Sequence, residues 1–554
     1  MNATKHCTGS ARFLLHLPLA LGLLVAGADI ANASAQHHCD GPVDPTGLVA
    51  AADATHIAAA SGRWEAPLTW SGGLVPDRDA RVLIPESLAV TIDTRLDATL
   101  STVRVDGALR FASDADTALR LDTLVTTCTG LLAIGSADAP VAADRRASIT
   151  FVDNGPVDGL EDPAQIGRGA VLLGRTEFHG APRTHRAILD VHPRAGAATI
   201  RLKQAPEGWR VGDLLTITGT VAGDPRSDEL RQIAAIDGTT ISLATPLSLD
   251  HVPPASDLNV YVANLTRNIV IASESAEVAH RGHVMFMHTL DVDVRNVAFE
   301  NLGRTDKRRE LDDLFFEFEE DVVGNATSAG VVFEVEEGPR TNIRGRYPVH
   351  FHRGGVAPGS TPARISGSVV FDSPGWGFVM HSAHVHMIDN VSYAVQGSGF
   401  YTEAGDEIGL LQGNIAVRSA NDAFVLDDGG AIDPDLGADQ QEFGNDGEGF
   451  WLSGHRVALI DNVSAGSTGH GFIYWTDGLV EADIPEPARM SVRVADLPNG
   501  DLIPGRESIP TWWAPMAPIR GNEAYGSMIG FRFRYAYSQA YLGEGGSAFH
   551  KPPP

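Results

Sequence analysis

Four titratable residues recur at matched positions in the second half of the chain. In the stretch IRGRYPVHFHRGG, residues 343 to 355, His350 and His352 alternate with Val349 and Phe351. On a β-strand that alternation sends both imidazoles to one face and both apolar side chains to the other. The segments Phe378-Val379-Met380-His381, Phe400-Tyr401-Thr402-Glu403 and Phe424-Val425-Leu426-Asp427 keep the same alternation. Aligned on their phenylalanines, they put His352, His381, Glu403 and Asp427 in one column, with neighbours about 4.8 Å apart if the segments stack as parallel rungs. Titratable groups crowded in this way are costly to hold unless they bind or catalyse something.

Three chemistries suit the column. In glycoside hydrolysis one carboxylic acid protonates the leaving oxygen while a second carboxylate attacks or activates water; Glu403 and Asp427 on adjacent rungs would lie roughly 5 Å apart, near the retaining spacing. In β-elimination from a uronic acid, a histidine takes up the proton while an arginine or a metal neutralises the sugar carboxylate. Alternatively, His350, His352 and His381 converge on a transition metal, since imidazoles two residues apart on a strand share a side. Against all three stands a ladder of acids and histidines hydrogen-bonded to one another. A second outward column holds His350, Val379, Tyr401, Val425, Trp451 and Ile473, and Ser453 and Trp475 extend the first. Tyr401, Trp451 and Trp475 would give ring faces for an extended sugar chain, with His350, Arg344, Arg346 and Arg353 as polar contacts. The alternative for the two tryptophans is packing beneath the acidic insertion that precedes them.

The elements that must position these residues are short strands in a repeat. Ser368 and Phe378, Asn390 and Phe400, Asn414 and Phe424, and Asn462 and Phe472 are each ten residues apart, and the repeats start at 368, 390 and 414. A period in the low twenties with strand-like alternation predicts a right-handed parallel β-helix, with phenylalanines stacked inside and asparagines stacked at a turn. Two insertions break the pattern. Residues 303–338 suit a loop or short helix over the solenoid, and 427–449 form an acidic, glycine-rich stretch in which Asp433, Asp435 and Asp439 suggest a calcium loop without the full twelve-residue pattern. Earlier, Val82, Ile84, Val90, Ile92, Val103 and Val105 alternate as half-buried strands, and Gly72-Gly73 and Pro76-Asp77 punctuate turns. The reading is all-β: a leader over 36–60, a β-rich domain over 61–255 and the solenoid over 256–554.

The whole chain has 554 residues, of which 43% are hydrophobic and only 20% charged, with 59 glycines and 32 prolines, a balance that favours strands and turns over helices. Its formal charge of −28 argues against non-specific binding to nucleic acid and leaves an acidic substrate in need of a local basic patch. Residues 1–35 read as an export signal: Lys5 and Arg12 precede an apolar run that ends in the small residues Ala33-Ser34-Ala35. No later stretch is long enough to span a bilayer, so the mature chain is expected to be secreted, extracellular or periplasmic. Cleavage would remove Cys7 and leave Cys39 and Cys128, an even pair that one disulfide or two free thiols would satisfy.

Several motifs carry a family likeness. Trp70, Gly73, Pro76, Asp79, Ile84-Pro85 and Asp93 resemble the extracellular domain named for its eight glycines, found in the CEMIP-type and transmembrane cell-surface hyaluronidases. EGWRVGDLLTIT (206–217), the run ending at His251, LTRNIVIASE, RGHVMF (281–286) and GRYPVHFH look like the same family in the same order, from about Trp64 to Tyr535. The resemblance implies hyaluronan or a related uronic-acid-containing polymer as substrate. It carries His350 and His352 as part of a histidine-phenylalanine-histidine signature, and Glu403 as the acid of a glutamate-aspartate-glycine motif. Here Ala404 replaces the aspartate, with Asp406 and Glu407 just beyond.

Overall fold

The computed structural model describes residues 45–534 except 161, 222–223, 225, 313–314, 319–330, 335–340, 422–442, 477–490 and 499. The expected export signal, Cys39, Asp427 and the aspartates of the suggested calcium loop lie outside the described residues. Cys128 is disulfide-bonded. No described helix is long and apolar enough to cross a membrane.

Thirty strands form one continuous parallel stack that winds through three faces. Each coil contributes a short strand to each face, and every strand pairs with its counterpart one coil away. One face runs through Arg81–Ile84, Arg95–Val105, Thr117–Thr126, Gly169–Leu172, Val284–Met287, Val349–Gly355, Phe378–Ile388, Phe400–Thr402, Phe450–Leu452, His470–Trp475 and Ile529–Arg534. The parallel β-helix read from the repeats is therefore present, and it begins earlier than the repeats themselves. The coils on either side of the expected 255/256 boundary pair directly, Ala170 with Val284 and Thr176 with Val292, so the N-terminal strands are the first turns of the same solenoid. Between them, residues 186–264 form a six-stranded antiparallel sheet with its own core around Leu215, Ile217, Ile233 and Ile241. It rests on the solenoid through Tyr261 and Leu265 against Tyr393, Val417 and Tyr525.

Two ladders hold the coils in register. Inside, Phe378, Phe400, Phe450 and Phe472 stack, and the exposed Phe531 ends the column, with ring centroids 4.6 to 5.0 Å apart and nearly parallel planes. At the turn, Asn390 Nδ2 donates to Asn414 Oδ1, Asn414 Nδ2 to Asn462 Oδ1 and Asn462 Nδ2 to Asn522 Oδ1, each at 3.0 Å. Each amide also donates to a backbone carbonyl of the coil before it, as Asn414 does to Met387. Buried turn backbone thus finds its partners without water, which a solenoid corner must arrange at every coil.

The register differs from the phenylalanine alignment at one coil. Phe400 pairs with Phe450 and Tyr401 with Trp451, and Phe424–Asp427 lie outside the described residues. Asn414 bonds directly to Asn462, 48 residues on, where the asparagine spacing from Ser368 to Asn414 suggests a step of 22 to 24. The insertion over 303–338, expected to be a loop or short helix, contains an antiparallel pair, Phe315–Phe318 with Val331–Glu334.

Candidate active site on the outward face of the solenoid

On the face that carries the histidines, pleating separates an inward set from an outward set. Val349 and Phe351 point into the core. The outward positions line up across coils as Val125, Val171, Met285, His350, Val379, Tyr401, Trp451 and Ile473, with Met287, His352 and His381 in the neighbouring column. The outward face is covered at both ends. Val125, Val171, Met285 and Met287 pack with Leu48 and Val49. Further along, Tyr347, Trp376, Val379, Tyr401, Trp451 and Ile473 form a second apolar cluster. His350, His352, His381 and Glu403 are the polar group between the two.

The register places His352 directly opposite His381. Glu403 follows the Phe400–Thr402 strand, and its backbone N–H donates to Met380 O at 2.8 Å, so it sits on the rung next to His381. Its Oε2 lies 3.3 Å from His381 Nδ1 and 3.6 Å from His350 Nε2. The His352 ring lies 5.0 Å from that of His350 and 4.9 Å from that of His381. His350 and Glu403 are almost wholly buried, and His352 and His381 are partly so.

Electrostatics divide the four groups. Burial pushes the Glu403 carboxyl up, but His381 and His350 overcome it and hold the acid well below its usual range. Burial pulls His381 down, yet the charge of Glu403 and its hydrogen bond win and raise it. His350 is lowered, by burial foremost. His352 is lowered further, by burial and then by the neighbouring histidines. Glu403 thus favours its ionised form beside His381, while burial disfavours protonation of His350 and His352.

The other predicted residues are placed differently. Tyr401 and Trp451 are 3% and 4% exposed, so they offer no open platform for a sugar. Tyr401 stacks on Trp376 at 3.4 Å and on Trp451 at 5.9 Å. Phe443, at the close of the acidic insertion, stacks on Trp451 and Trp475, and Arg534 lies 3.8 Å over the Trp475 ring. Packing under the insertion, rather than an exposed groove, is what these rings do. Arg346 is buried and donates to the carbonyls of Ala164, Gln165 and Arg344, which commits it to holding a turn rather than meeting a ligand. Arg344 and Arg353 are half-buried, and both His352 and His381 feel the charge of Arg353.

Sequence reasoning missed two supports. His288, one coil earlier, places its ring 5.9 Å from His352; the alternation in RGHVMFMH was the available signal. Gly345 accepts from His350 Nδ1 at 2.9 Å. Its φ is +86°, and a Cβ there would stand 3.4 Å from the His350 ring, so glycine suits both the backbone and the space. Beyond the site, Glu407 accepts from the N–H groups of Ala404, Gly405 and Ser382, fixing the turn that carries Glu403. Burial and the charge of Asp406 push its acid up to about 7.

The sequence matches the family described as CEMIP beta-helix over residues 325–483 and the G8 domain over residues 69–189. A G8 domain-containing protein of Dictyostelium discoideum is 26% identical over 62% of this chain and 28% of its own length. Protein rliB of the same organism is 24% identical with the same coverage. The chain thus spans little more than a quarter of these relatives. Among solved structures, the tailspike protein gp49 from Pseudomonas phage LKA1 is 11% identical over 70% of this chain and 54% of its own, with a TM-score of 0.17. The Gp54 tailspike of Acinetobacter baumannii bacteriophage AP22, in complex with capsular saccharide, is 10% identical over 67% and 55%, with a TM-score of 0.16. Scores that low carry no argument. The chain is therefore similar to CEMIP-type proteins, with a G8 domain match over residues 69–189 followed by a CEMIP beta-helix match over residues 325–483.

Proposed function

We propose that the protein is an extracellular enzyme that cleaves an extended, uronic-acid-containing polysaccharide such as hyaluronan at the Glu403 cluster. One observation carries the reading: between the apolar cluster of Val125, Val171, Met285 and Met287 and that of Tyr347, Trp376, Tyr401 and Trp451, the outward face gathers His350, His352, His381 and Glu403. A buried ionised carboxylate among imidazoles is a costly arrangement that a scaffold alone does not need. The likeness to the CEMIP family supports the polymer class. Arg353, and Arg344 beyond it, supply the local positive charge that a uronate needs on a chain of charge −28.

Glu403 is the carboxylate that either cleavage chemistry requires. In hydrolysis it attacks the sugar or activates water; in elimination it takes the proton next to the uronate carboxyl, the C–H electrons form the C=C bond, the glycosidic C–O bond breaks, and His381 gives a proton to the leaving oxygen. Retaining hydrolysis would need a second carboxylate about 5 Å from Glu403, the role the sequence gives Asp427. The test is incubation of the purified protein with hyaluronan, chondroitin and uronate polymers, following chain length together with absorbance near 232 nm. Shortening without new absorbance marks a hydrolase and shortening with it marks a lyase. Retained binding without shortening would replace the enzyme by a carbohydrate-binding protein.

A further inference from the structure

The three imidazoles have a geometric feature that polymer cleavage alone does not explain. One ligating atom from each of His350, His352 and His381 falls within 4.8 Å of the others. His350 is 1% exposed, and neither its Nε2 nor the buried Nδ1 of His352 has a hydrogen-bond partner. Buried ring nitrogens left in this way, side by side, are retained where something occupies the space between them.

The tautomer of His350 is fixed from behind. The Gly345 carbonyl can only accept, so Nδ1 carries the proton and Nε2 presents its lone pair to the cluster. A carbonyl holding the far nitrogen of an imidazole is the usual outer support of a metal-bound histidine. His350 and His352 project from one strand two residues apart, and His381 joins them from the adjacent coil. That is a tripod on a rigid sheet, with one side left for a further ligand. Zinc–nitrogen bonds of about 2.1 Å in a tetrahedral site put the nitrogens about 3.4 Å apart, so inward movement of each ring by at most about 0.8 Å would close the set.

We propose that His350, His352 and His381 bind one first-row transition metal ion, zinc being the best fit to an all-imidazole tripod, with Glu403 poised beside the open position. Imidazole donors favour zinc, copper, iron and nickel over calcium or magnesium, which take oxygen ligands. The other cluster of potential ligands among the described residues, Asp446, Glu448 and His470, has Arg532 at 3.0 Å from His470 Nε2, a cation where a metal would need none. This inference deepens the functional reading of the same site: the ion would offset the uronate carboxylate, leaving Glu403 as the group that handles the proton.

The experiment measures metal and turnover separately. The full-length protein is freed of metal with a chelator, dialysed, and titrated with zinc chloride, and separately with cobalt chloride while the visible spectrum is recorded. The expected result is one ion per chain, cobalt bands of a low-symmetry nitrogen site, and a rise in Tm on zinc addition. His352→Ala and His381→Ala should each weaken binding at least 100-fold, with circular dichroism confirming the β-sheet. His386→Ala, in a histidine pair on another face, should leave binding unchanged. Failure of the folded wild type to bind zinc or cobalt at micromolar concentration, or equal binding by the His352→Ala and His381→Ala proteins, overturns the inference. Polymer cleavage that persists in metal-free protein without any bound ion sinks the metal and spares the enzyme. A bound ion without cleavage of any polymer does the reverse.

Discussion

The carboxylate of Glu403 lies 3.3 Å from Nδ1 of His381, a residue 22 positions earlier that the next coil brings alongside. Glu403 is buried and His381 partly so, and each shifts the other toward its charged form. Glu403→Gln removes the anion with little change in volume. The expected outcome is a loss of about 10²–10⁴ in kcat for polymer cleavage, with circular dichroism unchanged. Kinetics of chain shortening on the purified variant check it.

The asparagine ladder carries stability rather than chemistry. Asn414 is fully buried, donates to Asn462 and to Met387 O, and accepts from Asn390. Asn414→Ala leaves several of those groups unsatisfied and should cost about 2–5 kcal/mol, read as a fall in the urea midpoint. Asn522 ends the described ladder and is partly exposed, so Asn522→Ala should cost about 1 kcal/mol.

Trp451 separates the two accounts of the aromatic column. Its ring is buried against Tyr401, Phe443 and Trp475. Trp451→Ala should therefore destabilise the fold by about 3–5 kcal/mol, measured by denaturant, while polysaccharide affinity of the folded fraction stays within about twofold. A large drop in affinity at unchanged stability would restore the ring as a sugar platform.

Acid should loosen the molecule before carboxylates protonate. Burial holds His283 and His185 well below the ordinary imidazole value. In the unfolded chain both take up protons below about pH 6.5, which the native state refuses. Stability from these groups is present above pH 6.5 and is lost as pH falls below it, by up to about 1.4 kcal/mol per pH unit for each. Tm measured from pH 8 to pH 5 should begin to decline near 6.5, and His185→Gln should flatten the decline.

How much of this was legible before the coordinates follows from which signals are local. Alternation within VHFH fixed which side chains share a face, and the Phe378 and Phe400 spacing fixed which rungs meet, so His350, His352, His381 and Glu403 assemble as the pattern implies. Asp427, which the Phe424 alignment draws into the same column, lies outside the described residues; the described ladder continues from the 400–402 strand to the 450–452 strand. Burial of the aromatics was unreadable, because Phe443 and Arg534 reach Trp475 from outside its own strand. Arg346 looked like a basic contact beside the histidines, and only the fold reveals the Ala164–Gln165 turn, some 180 residues away, that its guanidinium holds.

Chain shortening of hyaluronan by the wild type, compared side by side with Glu403→Gln, bears most directly on the claim that the outward cluster is a catalytic centre. The account predicts that the wild type shortens the polymer and that the variant, equally folded, does so at least 100-fold more slowly. Equal rates from the two proteins would contradict it.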